Sequence, residues 1–141
     1  MAAPQFSQSG RGTAPQSVKP PQVVPASVPR TARDAYRLYR QGRYLSEQEN
    51  FEQAVQAFDQ VLQIDPTHAL ALNARGYAQL RLRNYQGAIY DCSQAIRLNP
   101  NYANAYLNRS VAKRAAGDVA GAREDQHRAM ELDSVAQVGK P

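Results

Sequence analysis

The sequence predicts an all-α fold, a solenoid of three antiparallel helical hairpins, and three observations predict it. The chain of 141 residues repeats itself at an interval of 34: Pro66 and Pro100 lie that far apart, inside the similar stretches VLQIDPTHALALNARG and AIRLNPNYANAYLNRS. Apolar residues within each copy recur at helical spacing rather than in strand alternation. Small residues stand at matched places in successive copies, as close helix packing requires.

The first thirty residues stand apart. Six of the nine prolines fall there, among Ser, Gln and Gly, with little contiguous apolar material to offset the entropy of ordering them. Residues 1–30 therefore read as a disordered, partly polyproline-like tail, with no PxxP spacing for an SH3-type groove. Helical pattern begins after Pro29, where Thr31 and Asp34 have the spacing of a capping box. The repeats run at about 35–68, 69–102 and 103–134, a domain of residues 31–134 with 135–141 as a short tail.

The second copy shows the hairpin most clearly. Leu70, Leu72, Ala74, Tyr77, Ala78 and Leu82 mark a first helix, and Arg83-Asn84 breaks it. Ala88, Ile89, Cys92, Ala95, Ile96 and Leu98 mark a second, which Pro100 stops. Thr67 and Asn101 are the expected caps of the first helices that follow the prolines. A shift of 34 places Gly42 on Gly76 and Ser110, Ala54 on Ala88 and Ala122, and Val61 on Ala95 and Ala129. Asn50-Phe51 falls on Asn84-Tyr85 and Asp118-Val119. Gly42 and Gly76, facing Ala54 and Ala88, let the two helices of a hairpin approach closely. Phe58 fills the space between hairpins, with Cys92 and Gln126 in its counterpart slots. One such hairpin cannot bury its apolar face alone, so the copies must stack.

Gly76, Ala88, Ala95 and Pro100, at this repeat spacing, resemble the tetratricopeptide repeat over about residues 33–134. Leu38 and Leu72 stand where that family often has Trp, and Ser110 and Ser134 replace its Gly and Pro, so the third copy is degenerate. The resemblance implies a right-handed superhelix whose first helices line a concave groove for an extended peptide or a partner helix. Sorted by helix, Arg37, Arg40, Arg43, Arg75, Arg81, Arg83, Arg109, Lys113 and Arg114 stand on first helices against Glu47, while the acids gather on the second helices. A basic inner and an acidic outer face are the expectation.

By helical phase, the expected peptide-binding set is Tyr36, Tyr39, Arg40, Arg43, Asn73, Tyr77, Arg81, Asn104, Asn108 and Arg114. Asn can bond a ligand's backbone, Arg can grip a carboxylate bidentately, and Tyr offers flat apolar area. Some domains of the family hold an acidic chaperone tail with a clamp of Lys, Asn and Arg. The matching slots here hold Tyr39, Arg43, Ala74, Asn104 and Asn108, with one positive charge, which disfavours that ligand but not another acidic one.

Other functions find less support. His68 and His127 lie about two repeats apart without metal-ligand partners, and no GxSxG, HExxH or phosphate-cradling loop is present. No enzyme, metal or cofactor is expected, and Cys92 reads as a small buried apolar residue. The net charge of +5 comes largely from Arg11, Lys19, Arg30 and Arg33, which no acid accompanies; the remainder holds 13 bases against 12 acids, which argues against nucleic acid. No stretch approaches a membrane span. The expected function is a non-catalytic interaction module for a peptide or helix of another protein, an acidic one. The alternative is a scaffold or homo-oligomer that uses its helix ends. The lone cysteine and lack of a leader favour the cytoplasm, though a Pro-rich tail also suits a periplasmic module cut from an anchor.

Overall fold

The computed structural model describes residues 31–139, so the expected tail at 1–30 lies outside the described residues. Six helices follow in order: α1 (Ala32–Glu47), α2 (Phe51–Ile64), α3 (Ala69–Arg81), α4 (Tyr85–Leu98), α5 (Ala103–Ala115) and α6 (Val119–Val138). They pair as hairpins α1/α2, α3/α4 and α5/α6, and the hairpins stack through α2 on α3 and α4 on α5. First helices also touch along one side, α1 on α3 and α3 on α5, whereas second helices do not touch one another. The stack is therefore gathered on the first-helix side and splayed on the other, which curves it. The last helix takes in positions 135–138, set apart in the sequence as tail.

Local chemistry explains the boundaries. Thr31 and Asp34 close a capping box at the start of α1. Asn84 and Asp118 cap α4 and α6 by accepting from the backbone N–H groups of Gly87 and Gly121. Thr67 and Asn101 do not cap α3 and α5. Thr67 instead donates to Asp65 through its N–H and hydroxyl, and the Asn101 N–H donates to Asn99. An acid or amide before the proline thus holds the turn, and the cap passes one residue on, to His68, whose Nδ1 accepts from the Ala71 N–H. Tyr102 occupies the same place before α5 without a side-chain cap bond.

The turn inside each hairpin is one motif used three times. Asn50, Asn84 and Asp118 each donate backbone N–H to the carbonyl five residues back, closing a Schellman motif. The residue before each, Glu49, Arg83 and Gly117, takes positive φ at 60°, 64° and 98°. Only the third copy uses the residue this backbone favours.

Packing changes along the stack. The first hairpin buries Leu38, Phe51, Phe58 and Val61 with Ala35 and Ala54, a core that takes in Ala71 and Ala78 of α3. A Cβ at Gly42 would stand 2.5 Å from the Phe58 ring, so Phe58 lies against α1 of its own hairpin. A Cβ at Gly76 would stand 2.8 Å from the Cys92 sulfur. Ser110 is tolerated at the third copy because its counterpart Gln126 is exposed and turned toward Arg114.

Ion pairs lock the later hairpins. Arg75 of α3 grips Asp91 of α4 through Nε and Nη2, both at 2.7 Å, and reaches Asp59 of α2 through Nη1 at 2.7 Å. One repeat on, Arg109 grips Asp125 at 2.7 and 2.6 Å and reaches Ser93 at 3.1 Å, with Lys113 Nζ 3.0 Å from Asp125. Asp91 and Asp125 are buried. Burial pushes the Asp125 carboxyl up, but the bonds from Arg109 and Lys113 outweigh it and hold it below its ordinary value. In the first hairpin Gln41 and Ala57 hold the corresponding places.

Two outcomes are expected in urea unfolding. Arg75→Gln strands the Asp91 carboxylate and costs about 3–5 kcal/mol. Adding Asp91→Ala, which transplants the pair used by the first hairpin, recovers at least half of that loss. Separately, Arg83→Gly stabilises by about 0.5–1 kcal/mol and Gly117→Ala costs about 1 kcal/mol, because both act on the left-handed turn.

Candidate functional site

A groove of about 450 Å³ opens on the first-helix side, lined by Tyr39, Arg43, Ser46 and Glu47 of α1, Leu70, Asn73, Ala74 and Tyr77 of α3, Asn104 and Asn108 of α5, and Tyr102 of the preceding turn. Helical phase places them: residues 39, 43 and 46–47 share one stripe of α1, and 70, 73–74 and 77 share one stripe of α3.

Its floor is an amide network. Asn73 is buried and donates from Nδ2 to the Tyr102 hydroxyl at 3.1 Å and to Asn104 Oδ1 at 2.8 Å. Its Oδ1 accepts from Asn108 Nδ2 at 2.9 Å, and the Cys92 thiol lies 3.8 Å beyond. Asn108 also donates to Asn104 Oδ1 at 3.2 Å. The three amides expected to hold a ligand are therefore spent largely on one another, which suits a buried polar group that needs all its bonds. The Asn104 Nδ2 and Asn108 Oδ1 atoms are left over at the groove surface. Burial pushes the Tyr102 hydroxyl up from its ordinary value, and pushes the Cys92 thiol up to about 12. Ser46 Oγ, buried at the groove edge, has no partner among the described residues.

The wall carries two tyrosine–arginine pairs, each one helical turn long. Arg43 donates to the Tyr39 hydroxyl at 3.2 Å, and Arg81 donates to the Tyr77 hydroxyl at 2.8 Å. These bonds raise both guanidinium values further above their ordinary level. Arg81 also lies 4.6 Å above the Phe51 ring and makes an exposed ion pair with Glu49 at 3.6 Å. Tyr39 is set by the rings of Phe58 and His68, with centroids 6.0 and 5.2 Å away. Tyr77 meets Phe51 edge-on.

Of the ten residues expected from sequence, the groove lining holds Tyr39, Arg43, Asn73, Tyr77, Asn104 and Asn108, and Arg81 adjoins it through Tyr77. The other three lie elsewhere. Tyr36 and Arg40 sit about 60° round α1 from Tyr39 and Arg43, on an outer stripe with Arg33, Arg37 and Tyr44. Arg114 stands beyond Val111 at the far end of the stack, bonded to Gln126 at 3.2 Å. Tyr102 was missed, although it falls one full repeat after His68 and both are ring-bearing residues behind a proline turn. The basic inner face also thins out, since Arg75, Arg109 and Lys113 are neutralised by carboxylates between the helix layers.

The family model for the tetratricopeptide repeat matches residues 39–103. Among solved structures, the first repeat domain of Spaghetti (RPAP3) bound to the HSP90 peptide SRMEEVD is similar at 26% identity, with a TM-score of 0.72, over 77% of this chain and 86% of that one. The first domain of human RPAP3 is similar at 28% identity and a TM-score of 0.69, over 71% and 79% of the two chains. The yeast Sti1 TPR2B domain in its pHsp70 complex is similar at 26% identity and a TM-score of 0.71, over 75% and 85%. Comparison with curated proteins returns no match.

The amide floor makes a test of its own. Asn73→Ala removes the donor to Tyr102 and leaves the Asn108 amide without its buried acceptor, so thermal and urea unfolding should show a loss of about 2–3 kcal/mol. Asn104→Ala, at the exposed rim, should cost less than about 1 kcal/mol, because Asn73 keeps Tyr102 as a partner.

Proposed function

We propose that this chain, which carries three tetratricopeptide repeats in a right-handed solenoid, is a non-catalytic module that holds an extended, acidic segment of another protein in its first-helix groove. That its fold is a protein-interaction scaffold follows from the repeats themselves; the acidic ligand is the finer reading. One observation carries it. Arg43 and Arg81 donate to tyrosine hydroxyls and stand at the surface beside flat aromatic faces, Arg81 with only an exposed ion pair to Glu49, while Arg75 and Arg109 are consumed within the fold. Guanidinium groups held this way are pre-ordered to receive a carboxylate.

The remaining lining fits an extended chain. Tyr39, Tyr77 and Tyr102 offer apolar area with polar tips, and the spare atoms of Asn104 and Asn108 offer one donor and one acceptor to a passing peptide group. With neutral amides there, the third hairpin adds no charge, so the acidic contact falls on the first two hairpins. The SRMEEVD peptide named for the Spaghetti (RPAP3) structure is itself acidic, which supports the ligand class.

Among the described residues no cluster of His, Cys, Asp and Glu could hold a metal, and the thiol of Cys92 is buried and protonated at neutral pH. No described helix is long and apolar enough to cross a membrane. The single cysteine suits a reducing compartment, and we place the module in the cytoplasm.

Panning the full chain against a random peptide library, beside an Arg43→Glu, Arg81→Glu variant shown to stay helical, tests the reading. Enrichment of acidic peptides by the parent alone is the expected result. Enrichment without acidic bias would keep the groove and reject the charge preference, and no enrichment by either would move function to the helix ends.

A further inference from the structure

The C-terminal end of the stack repeats a surface that is covered everywhere else. Along α2, Phe51, Val55, Asp59 and Leu62 form one stripe, and α3 packs over it; along α4, Tyr85, Ile89, Ser93 and Ile96 form the same stripe, and α5 packs over it. The equivalent stripe of α6 is Val119, Arg123, His127 and Met130. Phe51 is 7% exposed, whereas Val119 is 46% and Met130 63% exposed. Leu107 and Val111 of α5 continue the face, at 38% and 53% exposed, around a shallow hollow with Arg114 and Gln126.

The two covered copies show what such a face takes. Each receives a helix that lays buried small residues against it, Ala71 and Ala78 in one case and Ala105 in the other. Each incoming helix then sends a basic side chain down, Arg75 onto Asp59 and Arg109 onto Ser93. On α6 that acceptor has become His127, and Arg123 replaces the apolar Val55 and Ile89. Arg123 makes no ion pair among the described residues, and Arg114 stands at the rim bonded only to the neutral Gln126. His127 faces Glu131 of its own helix at 3.4 Å, so the charge an incoming side chain meets is that of Arg123 and Arg114, which repels an arginine and attracts a carboxylate.

This complementarity removes the nearest alternatives. A second copy stacking head to tail would present α1, whose outer stripe carries Arg33, Arg37 and Arg40, with Arg37 in the place of Ala71 and Ala105. Residues 1–30 carry Arg11, Lys19 and Arg30 and no acid. We propose that the exposed α5/α6 face docks an amphipathic helix of another protein that presents a small residue and, one turn on, a glutamate or aspartate. The helix would lie where the first helix of a further repeat stands.

A helix-stapled peptide copying residues 69–82 with Arg75→Glu, and its twin retaining the arginine, are the probes, titrated against the full chain by fluorescence polarisation. The glutamate peptide should bind about tenfold tighter, one charge contact's worth of discrimination. Met130→Glu, at an exposed position, should abolish that binding, and His127→Asp should reverse the preference by restoring the acceptor that Asp59 provides. The groove variant Arg43→Glu, Arg81→Glu should bind the glutamate peptide unchanged. Equal binding of the two peptides, binding of neither, or loss in the groove variant would each overturn the proposal. So would sedimentation of the chain as a dimer that Met130→Glu splits, because a second copy would then own the face.

Discussion

The fold depends on two buried carboxylates and the guanidinium groups that answer them. Asp91 and Asp125 sit on second helices at the layer boundary, almost out of reach of water, where an uncompensated charge would be prohibitive. Arg75 and Arg109 reach across from first helices and meet them with paired bonds, and the spare nitrogen of each runs on to the preceding hairpin. One side chain therefore ties three helices. Because the fork is planar and rigid, it sets the separation and rotation of those helices as well as their attraction.

That lock grows as the apolar core shrinks. The place held by Phe58 in the first hairpin passes to Cys92 and then to exposed Gln126, and Val61 passes to Ala95 and Ala129. The first hairpin, with Gln41 and Ala57, has no such ion pair and needs none, since an aromatic side chain fills the space under Gly42. The later hairpins have little volume to bury and rely on geometry instead. A consequence reaches the groove. The arginines committed to the lock cannot serve a ligand, which leaves Arg43 and Arg81 as the basic groups of its wall, beside the carboxylate of Glu47. Their tyrosine partners keep them ordered without neutralising them.

Much of this was legible in the sequence, and the failures have physical causes. A fixed repeat interval, helical spacing and matched small residues are local signals, so hairpins, stacking and the Thr31–Asp34 box could be read directly. The charge segregation was also visible, yet its meaning was not. Arg75 and Asp91, Arg109 and Asp125, and Gly76 and Cys92 are all separated by the same interval along the chain, the one that spans the two helices of a hairpin. Only with the hairpin closed does that interval become contact, and a basic face then resolves into a row of internal pairs. Tyr36, Arg40 and Arg114 lie outside the groove for a smaller reason: each stands three positions from a groove residue or its repeat counterpart, and about 60° of rotation separates a lining residue from an outer one. Thr67 and Asn101 were displaced as caps because Asp65 and Asn99 hold the proline turns first.

The two ends of the stack are unlike, and the difference follows from the same repeat register. At the N-terminal end, Arg37 occupies the place where Ala71 and Ala105 allow the preceding hairpin to come close, and Arg33 and Arg40 flank it. A helix cannot pack there as one does inside the stack, because the side chain that would have to be small is long and charged. At the C-terminal end the steric condition is met, with Val119, Met130, Leu107 and Val111 uncovered, and only the charge has been changed. Moving from Asp59 through Ser93 to His127, the acceptor loses its charge while the arginine it serves in the first two copies has no third counterpart on α1, where Gln41 stands. Self-stacking is therefore opposed by the bulk and charge of Arg37 at the N-terminal end. What remains open is a surface shaped for a helix and charged against the helices this chain itself possesses.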